Sequence, residues 1–530
     1  MKRVQVSAGA PGSRQYPRAL LLLLLFIVLL TWLSGDSSRA ASGDLDLFFG
    51  QAGRVTIDFN RSTDRASAVA IQTDGKLVAG GFAFSNGVVP TSIDLFALVR
   101  LNSDGTLDNS FGTGGKATTD FGGAVNEIKA LAIQSDGKIV AAGFVQGNLT
   151  GYDFGLARFN SNGSLDSTFG LGGKVQTDFS GFSDFAYSVI VRPDGKIVVG
   201  GSSQTVRGFD FALARYNANG SLDSTFGSGG KVTLDFFSRE DEALAIAEQS
   251  DGKIVAVGYV GGSGNLEDFG LARFNADGSV DSTFGTEGKV ATDFGFRDKI
   301  FAVVIQPDGK IVGAGYAGDS TDLNYGFALA RYSANGSRDK TFGDKGKVVT
   351  RFSGRRDEAH ALALDRAGRL IAAGLVNIGF AVARYGIDGS LDLTFGTNGI
   401  VGSAFTTGFI PSVADAVAIQ SDGKIVGAGS ANPQFLGSTD FAVARFQTTV
   451  PTISTASISG KNLIVSGENF DAGAIILLNG ADQRTVNDSE KPFSILIGKK
   501  VGKKIAPGQQ VTLRVRNPDG AISAEFLFTR

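Results

Sequence analysis

Across residues 130–179 apolar and polar stretches follow one another in a set order. An apolar run, ALAIQ, leads into Asp136-Gly137-Lys138, and a second run, IVAAG, follows. A third run, FGLARF, is succeeded by an Asn-Gly turn, the segment SLDSTFG and a closing run, KVQTDF. Apolar runs this short, bounded by Gly, Asn and Asp, predict β-strands. Asp-Gly between two of them predicts a hairpin, because its turn requires positive φ. The order recurs along residues 41–449. The turn lies at Asp74, Asp136, Asp194, Asp251, Asp308 and Asp422, with a degenerate copy at Ala367-Gly368-Arg369, at spacings of 55 to 62 residues.

Four strands per unit at a period above ~50 residues is the pattern of a β-propeller blade. In Phe211-Ala212-Leu213-Ala214-Arg215 bulky residues alternate with Ala, which suits a sheet covered on both faces. The motif Leu-Asp-x-x-Phe-Gly follows the third strand at Asp108, Asp166, Asp223 and Asp392, and at Asp281 and Asp339 with Val280 and Arg338 in place of leucine. One more copy, at Asp46, precedes the first hairpin, whereas the last unit stops at Ala444-Arg445-Phe446 without its own. The expected fold is therefore all-β: a seven-bladed β-propeller closed by the N-terminal strand, which removes the sheet edges an open array exposes. Arg100, Arg158, Arg215, Arg273, Arg331, Arg384 and Arg445 end the third strands. An Arg–Asp pair in each unit, with Arg445 reaching Asp46 across the closure, reads as scaffold, since a ligand site is rarely repeated sevenfold. The alternative is an aspartate that only caps a short turn.

These units, DGKIVAAG followed by DFALARYNANGSLDSTFG, resemble the delta-60 repeat family of bacterial β-propeller repeats over residues 43–447. The resemblance implies the fold and no particular chemistry. Beyond Pro451 the repeat ends, and the runs LIVSG, AIILLNG, VTLRVRN and AEFLF predict a small β-sandwich over 451–530. Its stretches 465–470, 478–480 and 515–520 resemble an IPT/TIG immunoglobulin-like domain, which implies a spacer or binding module.

Charge is balanced, 50 basic against 52 acidic residues, so no basic footprint for nucleic acid is present. With no cysteine there is no disulfide framework and no thiol catalysis. Lys2, Arg3, Arg14 and Arg18 precede an apolar run at 19–33 and small residues at Ser38 and Ala40, the layout of a secretory signal over residues 1–40. The run is shorter than the ~20 residues a spanning helix needs. Cleavage after Ala40 is expected, and membrane contact arises only if the leader stays attached. The protein is placed outside the cell or at its surface, by bacterial-type export.

Candidate chemistry is sparse. Asp64, Asn126, Asp184, Asp241, Asp298 and Asp357, with Ser412 in the seventh unit, precede the first strands and are read as a ring at one mouth of a central channel. Carboxylates there would gather cations or accept from sugar hydroxyls; ordinary loop capping is the alternative. The loops between second and third strands on that face vary from 83–95 in the first unit to 377–379 in the sixth, and variable loops on a rigid frame carry specificity. Turns such as 160–166, 217–223 and 275–281 carry oxygens at spacings like calcium loops but lack the bidentate Glu, and Asx turns account for them. No cofactor is expected, with calcium the one ion these turns leave open. His360, the single histidine, lies among alanines and reads as a packed strand residue; Lys499, Lys500, Lys503 and Lys504 read as a solvated loop. The function expected is a binding or adhesion scaffold for an extracellular polysaccharide or protein. The alternatives are an extracellular glycosidase or lyase using the channel-mouth carboxylates, and a purely structural envelope protein.

Overall fold

The computed structural model describes residues 42–530 apart from 60–61, 86–92, 148–150, 238, 262–265, 320–323, 354, 378, 404, 406–411, 433–437, 448–450, 471–472, 492–493 and 518–521. The leader, the junction at 448–450 and much of the 83–95 loop lie outside the described residues.

The chain is all-β. Between Arg54 and Phe446 the described residues form seven four-stranded antiparallel sheets in chain order. The first runs Asp64–Ile71, Leu77–Phe84, Asp94–Leu101 and Lys116–Thr119. The later sheets open with Asn126–Ile133, Asp184–Val191, Glu242–Glu248, Asp298–Ile305, Asp357–Leu364 and Val413–Ile419. The seventh takes its fourth strand from the other end of the chain: Arg54–Ile57 pairs with Asp440–Phe446, Arg54 opposite Ala444 and Ile57 opposite Phe441. The opening strands of consecutive sheets pack side by side, and that of the seventh packs against that of the first.

The core lies between sheets. Val78 and Phe96 of one sheet meet Ile128, Ile139 and Phe159 of the next, all buried. Each buried aromatic or branched side chain contributes about 1.5–3 kcal/mol, so the stack needs no disulfide.

One latch is built seven times. Arg158 Nε donates to Asp166 at 2.8 Å, and its guanidinium lies 4.5 Å from the centre of the Phe169 ring. Its Nη1 donates to the carbonyl of Ala218 in the next sheet. Asp166 in turn accepts from the Thr168 backbone N–H and hydroxyl, so pairing and capping coexist. Arg100–Asp108, Arg215–Asp223, Arg273–Asp281, Arg331–Asp339 and Arg384–Asp392 repeat the pair. Arg445 pairs with Asp46 at 2.9 Å, joining residues from opposite ends of the array. The lysine of the Asp-Gly-Lys turn adds a second cation, as Lys196 does on Asp223 at 2.7 Å. Burial works against ionisation of Asp223, but hydrogen bonds from Lys196 and Thr225 and the charge of Arg215 hold its carboxyl far below the usual range.

A second device also recurs. Every opening strand carries a β-bulge, with Ser67, Lys129, Tyr187, Leu244, Phe301, His360 or Asp415 as the extra residue. The bulge pushes a carbonyl toward the second strand, and only glycine fits opposite it. A Cβ on Gly143 would lie 1.9 Å from the Glu127 carbonyl oxygen, and one on Gly201 would lie 1.9 Å from that of Phe185.

Residues 452–529 form two further four-stranded sheets. Thr452–Ser459 and Asn462–Glu468 lie in one, and Ile475–Leu478, Gln510–Arg516 and Phe526–Thr529 in the other. Leu463, Val465, Ile476, Leu496 and Leu513 bury a common core between them. Lys499, Lys500, Lys503 and Lys504 are exposed around the turn Val501–Lys504, where Lys504 donates to Gln483 at 2.7 Å. Among the described residues no helix is long and apolar enough to cross a membrane.

Candidate functional site

The bulges decide which side chains the row of opening strands presents. A bulge re-aims the residue it adds, and here it brings charged and aromatic groups of neighbouring sheets into contact. Arg65 donates to Asp415 at 3.0 and 2.6 Å. His360 lies between Asp415, 3.1 Å from Nδ1, and Glu358, 3.3 Å from Nε2, with its ring edge on Phe301. Burial alone would lower the His360 pKa, but the hydrogen bonds and charges of Asp415 and Glu358 outweigh it and lift it to about 9. The imidazole is thus a fixed cation at neutral pH, unsuited to act as a base.

Farther round the row, Lys129 meets Glu127 at 2.6 Å, and Glu127 also accepts from Ser67 of the preceding sheet at 3.2 Å. Tyr187 donates to Glu242 of the following sheet at 3.1 Å, and Tyr259 donates to the same carboxylate. Burial first, and then the Glu242 charge, push both phenols upward, so they stay protonated donors. Lys299 sits 3.7 Å from the Tyr259 ring centre.

Between these charged groups lies an aromatic cluster. Phe185 has ring centres at 5.1 Å from both Phe144 and Tyr152, 5.8 Å from Phe209 and 6.2 Å from Tyr187. All five rings are half-buried, unlike the fully buried phenylalanines between sheets. Their strands end on the same side as the loops before the opening strands, as the Gln146 N–H donating to the Val125 carbonyl shows.

The aspartates expected at a channel mouth occupy a different environment. Asp64, Asn126, Asp184, Asp241, Asp298 and Asp357 are fully buried, and Ser412 nearly so. They lie at or just before the starts of the opening strands and staple the preceding loop. Asp64 accepts from the Phe59 N–H at 2.7 Å, Asp184 from that of Phe179 at 2.7 Å, Asp241 from that of Phe236 at 2.9 Å and Asp357 from that of Phe352 at 2.7 Å. They form no open ring of carboxylates.

Four of them meet two further aspartates each. The sets are Asp58, Asp64 and Asp440; Asp153, Asp178 and Asp184; Asp210, Asp235 and Asp241; and Asp268, Asp293 and Asp298, each with one ligand oxygen per residue lying within 4.8 Å of the others. In each set one aspartate lies within the first three residues of a third strand, one follows the fourth, and one lies at or just before the start of the next sheet's opening strand. Burial, and then the neighbouring carboxylates, raise Asp298 to about 8. Turns like 160–166 spend their oxygens internally: Asn162 accepts from the Ser164 N–H and hydroxyl, and Asp166 holds Arg158.

Sequence reasoning missed the bulge residues and the aspartate sets. A signal for the former exists: the opening strands DRASAVAI, NEIKALAI, DFAYSVIV and DEAHALAL keep their small and branched positions while the second and fourth residues change freely.

Six stretches, 72–111, 134–169, 192–226, 249–284, 306–342 and 420–449, match the family described as a domain of unknown function (DUF5122) beta-propeller. No curated protein matches the sequence. Similar solved structures include polysaccharide lyase Uly1, 11% identical over 78% of this chain and 98% of that one, with a TM-score of 0.43. A fungal alcohol oxidase of the AA5 family in complex with copper is 12% identical over 91% of this chain and 99% of its own, with a TM-score of 0.41. Virginiamycin B lyase from Staphylococcus aureus is 10% identical over 74% and 98%, also at 0.41.

Proposed function

Taking the chain as a β-propeller repeat protein, we propose that it is an exported, closed seven-bladed ring carrying an immunoglobulin-like domain of IPT/TIG type. It binds an extracellular polysaccharide on the face that bears the variable loops. Closure is supported by the pairing of Arg54–Ile57 with the seventh sheet and by the Arg445–Asp46 and Arg65–Asp415 pairs. The boundary falls near residue 450, where the sheets of one kind stop and two others begin.

The observation that carries the binding reading is the half-buried cluster around Phe185, flanked by Glu127, Lys129 and Glu242. Aromatic faces take the apolar faces of sugar rings, and carboxylates and ammonium groups take their hydroxyls. A sevenfold structural need does not explain it: the cluster spans the second and third sheets, and the corresponding positions elsewhere vary, aromatic again in the fifth sheet at Phe301, Tyr316 and Tyr325 but Ser67, Glu267 and Thr439 in others.

The glycosidase or lyase alternative has less support. The carboxylates it would use are buried, each with one oxygen held by a loop N–H group, His360 is held as a cation, and Tyr187 and Tyr259 are held as phenols. Affinity electrophoresis of the protein against neutral and acidic polysaccharides tests both readings. We expect retardation by at least one polymer without chain cleavage, lost in the Phe185→Ala/Tyr152→Ala double variant. Polymer cleavage would move the assignment to the enzyme; no retardation, or retardation untouched by the double variant, would overturn this site.

A further inference from the structure

We propose that the aspartate triads between neighbouring sheets are calcium sites, one ion per triad, which pin the loop end of one sheet to the opening strand of the next. The triad at Asp268, Asp293 and Asp298 shows the geometry. Its ligand oxygens lie within 4.8 Å of one another, and an ion bound at ~2.3–2.6 Å from oxygen can touch all three.

A second observation points the same way. Asp298 is fully buried, and one of its oxygens accepts the Phe294 N–H at 2.6 Å. The other, Oδ1, meets no hydrogen-bond partner. Asp153 repeats this in its own triad: one oxygen accepts from Gln176 at 2.6 Å, and the buried Oδ1 is left without a donor. Buried acceptors are ordinarily paired, so oxygens left over beside two further carboxylates await a cation.

Charge sets the valence. Lys347 of the next sheet donates to the Asp293 carbonyl beside the Asp298 triad. One ammonium against three carboxylates leaves two negative charges, the complement of a divalent ion. All-oxygen ligation with room for water favours calcium over softer metals.

The chain carries its own controls. Between the first two sheets the third aspartate is replaced by Asn126, whose amide donates to the Asp94 and Gly123 carbonyls at 2.8 and 3.2 Å. Between the fifth and sixth sheets Gly326 and Arg351 stand in register with Asp268 and Asp293. There the remaining Asp357 is fully satisfied, accepting from Phe352 N–H, Ser353 N–H and the Ser353 hydroxyl. Asp64 and Asp241 also have donors on both oxygens inside their triads, from the Phe84 and Gly261 N–H groups at 3.3 and 3.0 Å, so the unpaired oxygens single out the Asp298 and Asp153 triads.

Equilibrium dialysis of the protein against radiolabelled calcium, up to millimolar concentration, decides the matter. Four ions per chain are expected, falling by one in Asp298→Asn and by one in Asp293→Asn, with no change in Asp357→Asn. Asp293 is exposed, so its variant keeps the test valid should the buried Asp298 substitution unfold the chain. Fewer than four ions, still falling by one in these variants, would support this triad and overturn the equivalence of the others. No bound calcium, or a stoichiometry unchanged by both substitutions, overturns the proposal.

Discussion

Arg65 in the opening strand of the first sheet donates through Nε and Nη2 to Asp415 in the opening strand of the last, at 3.0 and 2.6 Å. Asp415 also meets His360 at 3.1 Å, so one carboxylate serves two cations from two other sheets. Its side chain is 8% exposed, whereas that of Arg65 is 39% exposed. Asp415→Ala would leave His360 with Glu358 alone and is expected to cost about 3 kcal/mol, as breaking a buried pair does. Arg65→Ala removes a partly solvated partner and should cost about 1 kcal/mol or less. Urea titrations of the two variants would show the asymmetry.

His360 makes stability depend on pH. Its folded pKa of about 9 exceeds its unfolded value of 6.5. The protonated form is therefore favoured by folding: its contribution is complete below pH 6.5 and disappears as pH rises through 9. The groups facing it are Glu358 and Asp415, with Arg356 and Arg65 behind them. A His360→Gln variant should show a flatter decline in melting temperature from pH 6.5 to 9 than the parent. An identical slope in both would refute this account.

Two glycines in one hairpin should behave differently for different reasons. A Cβ on Gly143 meets the Glu127 carbonyl oxygen at 1.9 Å, so Gly143→Ala must unmake the bulge and should cost about 3 kcal/mol or more. Gly137 has φ +83° with only Ser161 Cβ near its own, at 3.6 Å; Gly137→Ala should cost about 1 kcal/mol from backbone conformation alone. Gly137→Asn should recover part of that, since Asn tolerates positive φ. Thermal melts of the three variants separate steric from conformational cost.

Asp46 receives both Arg445 and Lys424, at 2.8 and 3.0 Å. Burial opposes its ionisation, but these two cations hold its pKa below the usual value. Removing residues 42–57 would strip that partner and also free the edge of Asp440–Phe446, now paired with Arg54–Ile57. An exposed apolar edge recruits other chains. The truncated protein should aggregate on heating well below the parent, by light scattering, whereas Asp166→Ala, within one unit, should lower the melting point without that change.

The sequence by itself determined the local unit: strands from short apolar runs, hairpins from Asp-Gly, and four strands to a repeat. Those features rest on periodicity and backbone conformation, which act over a few residues and are written seven times over. The repeated Arg and Asp were also legible, because a sevenfold copy announces a shared role. Only the tertiary structure decided what the varying residues meet. Tyr187 finds Glu242, and His360 finds Asp415, 55 residues on, because each bulge turns one side chain toward a neighbouring sheet. Asp184 reads from the sequence as a surface carboxylate, yet it is buried beside Asp153 and Asp178, which belong to the previous sheet. Contacts between units depend on how the sheets stack, and no local pattern of apolar and polar residues encodes that distance.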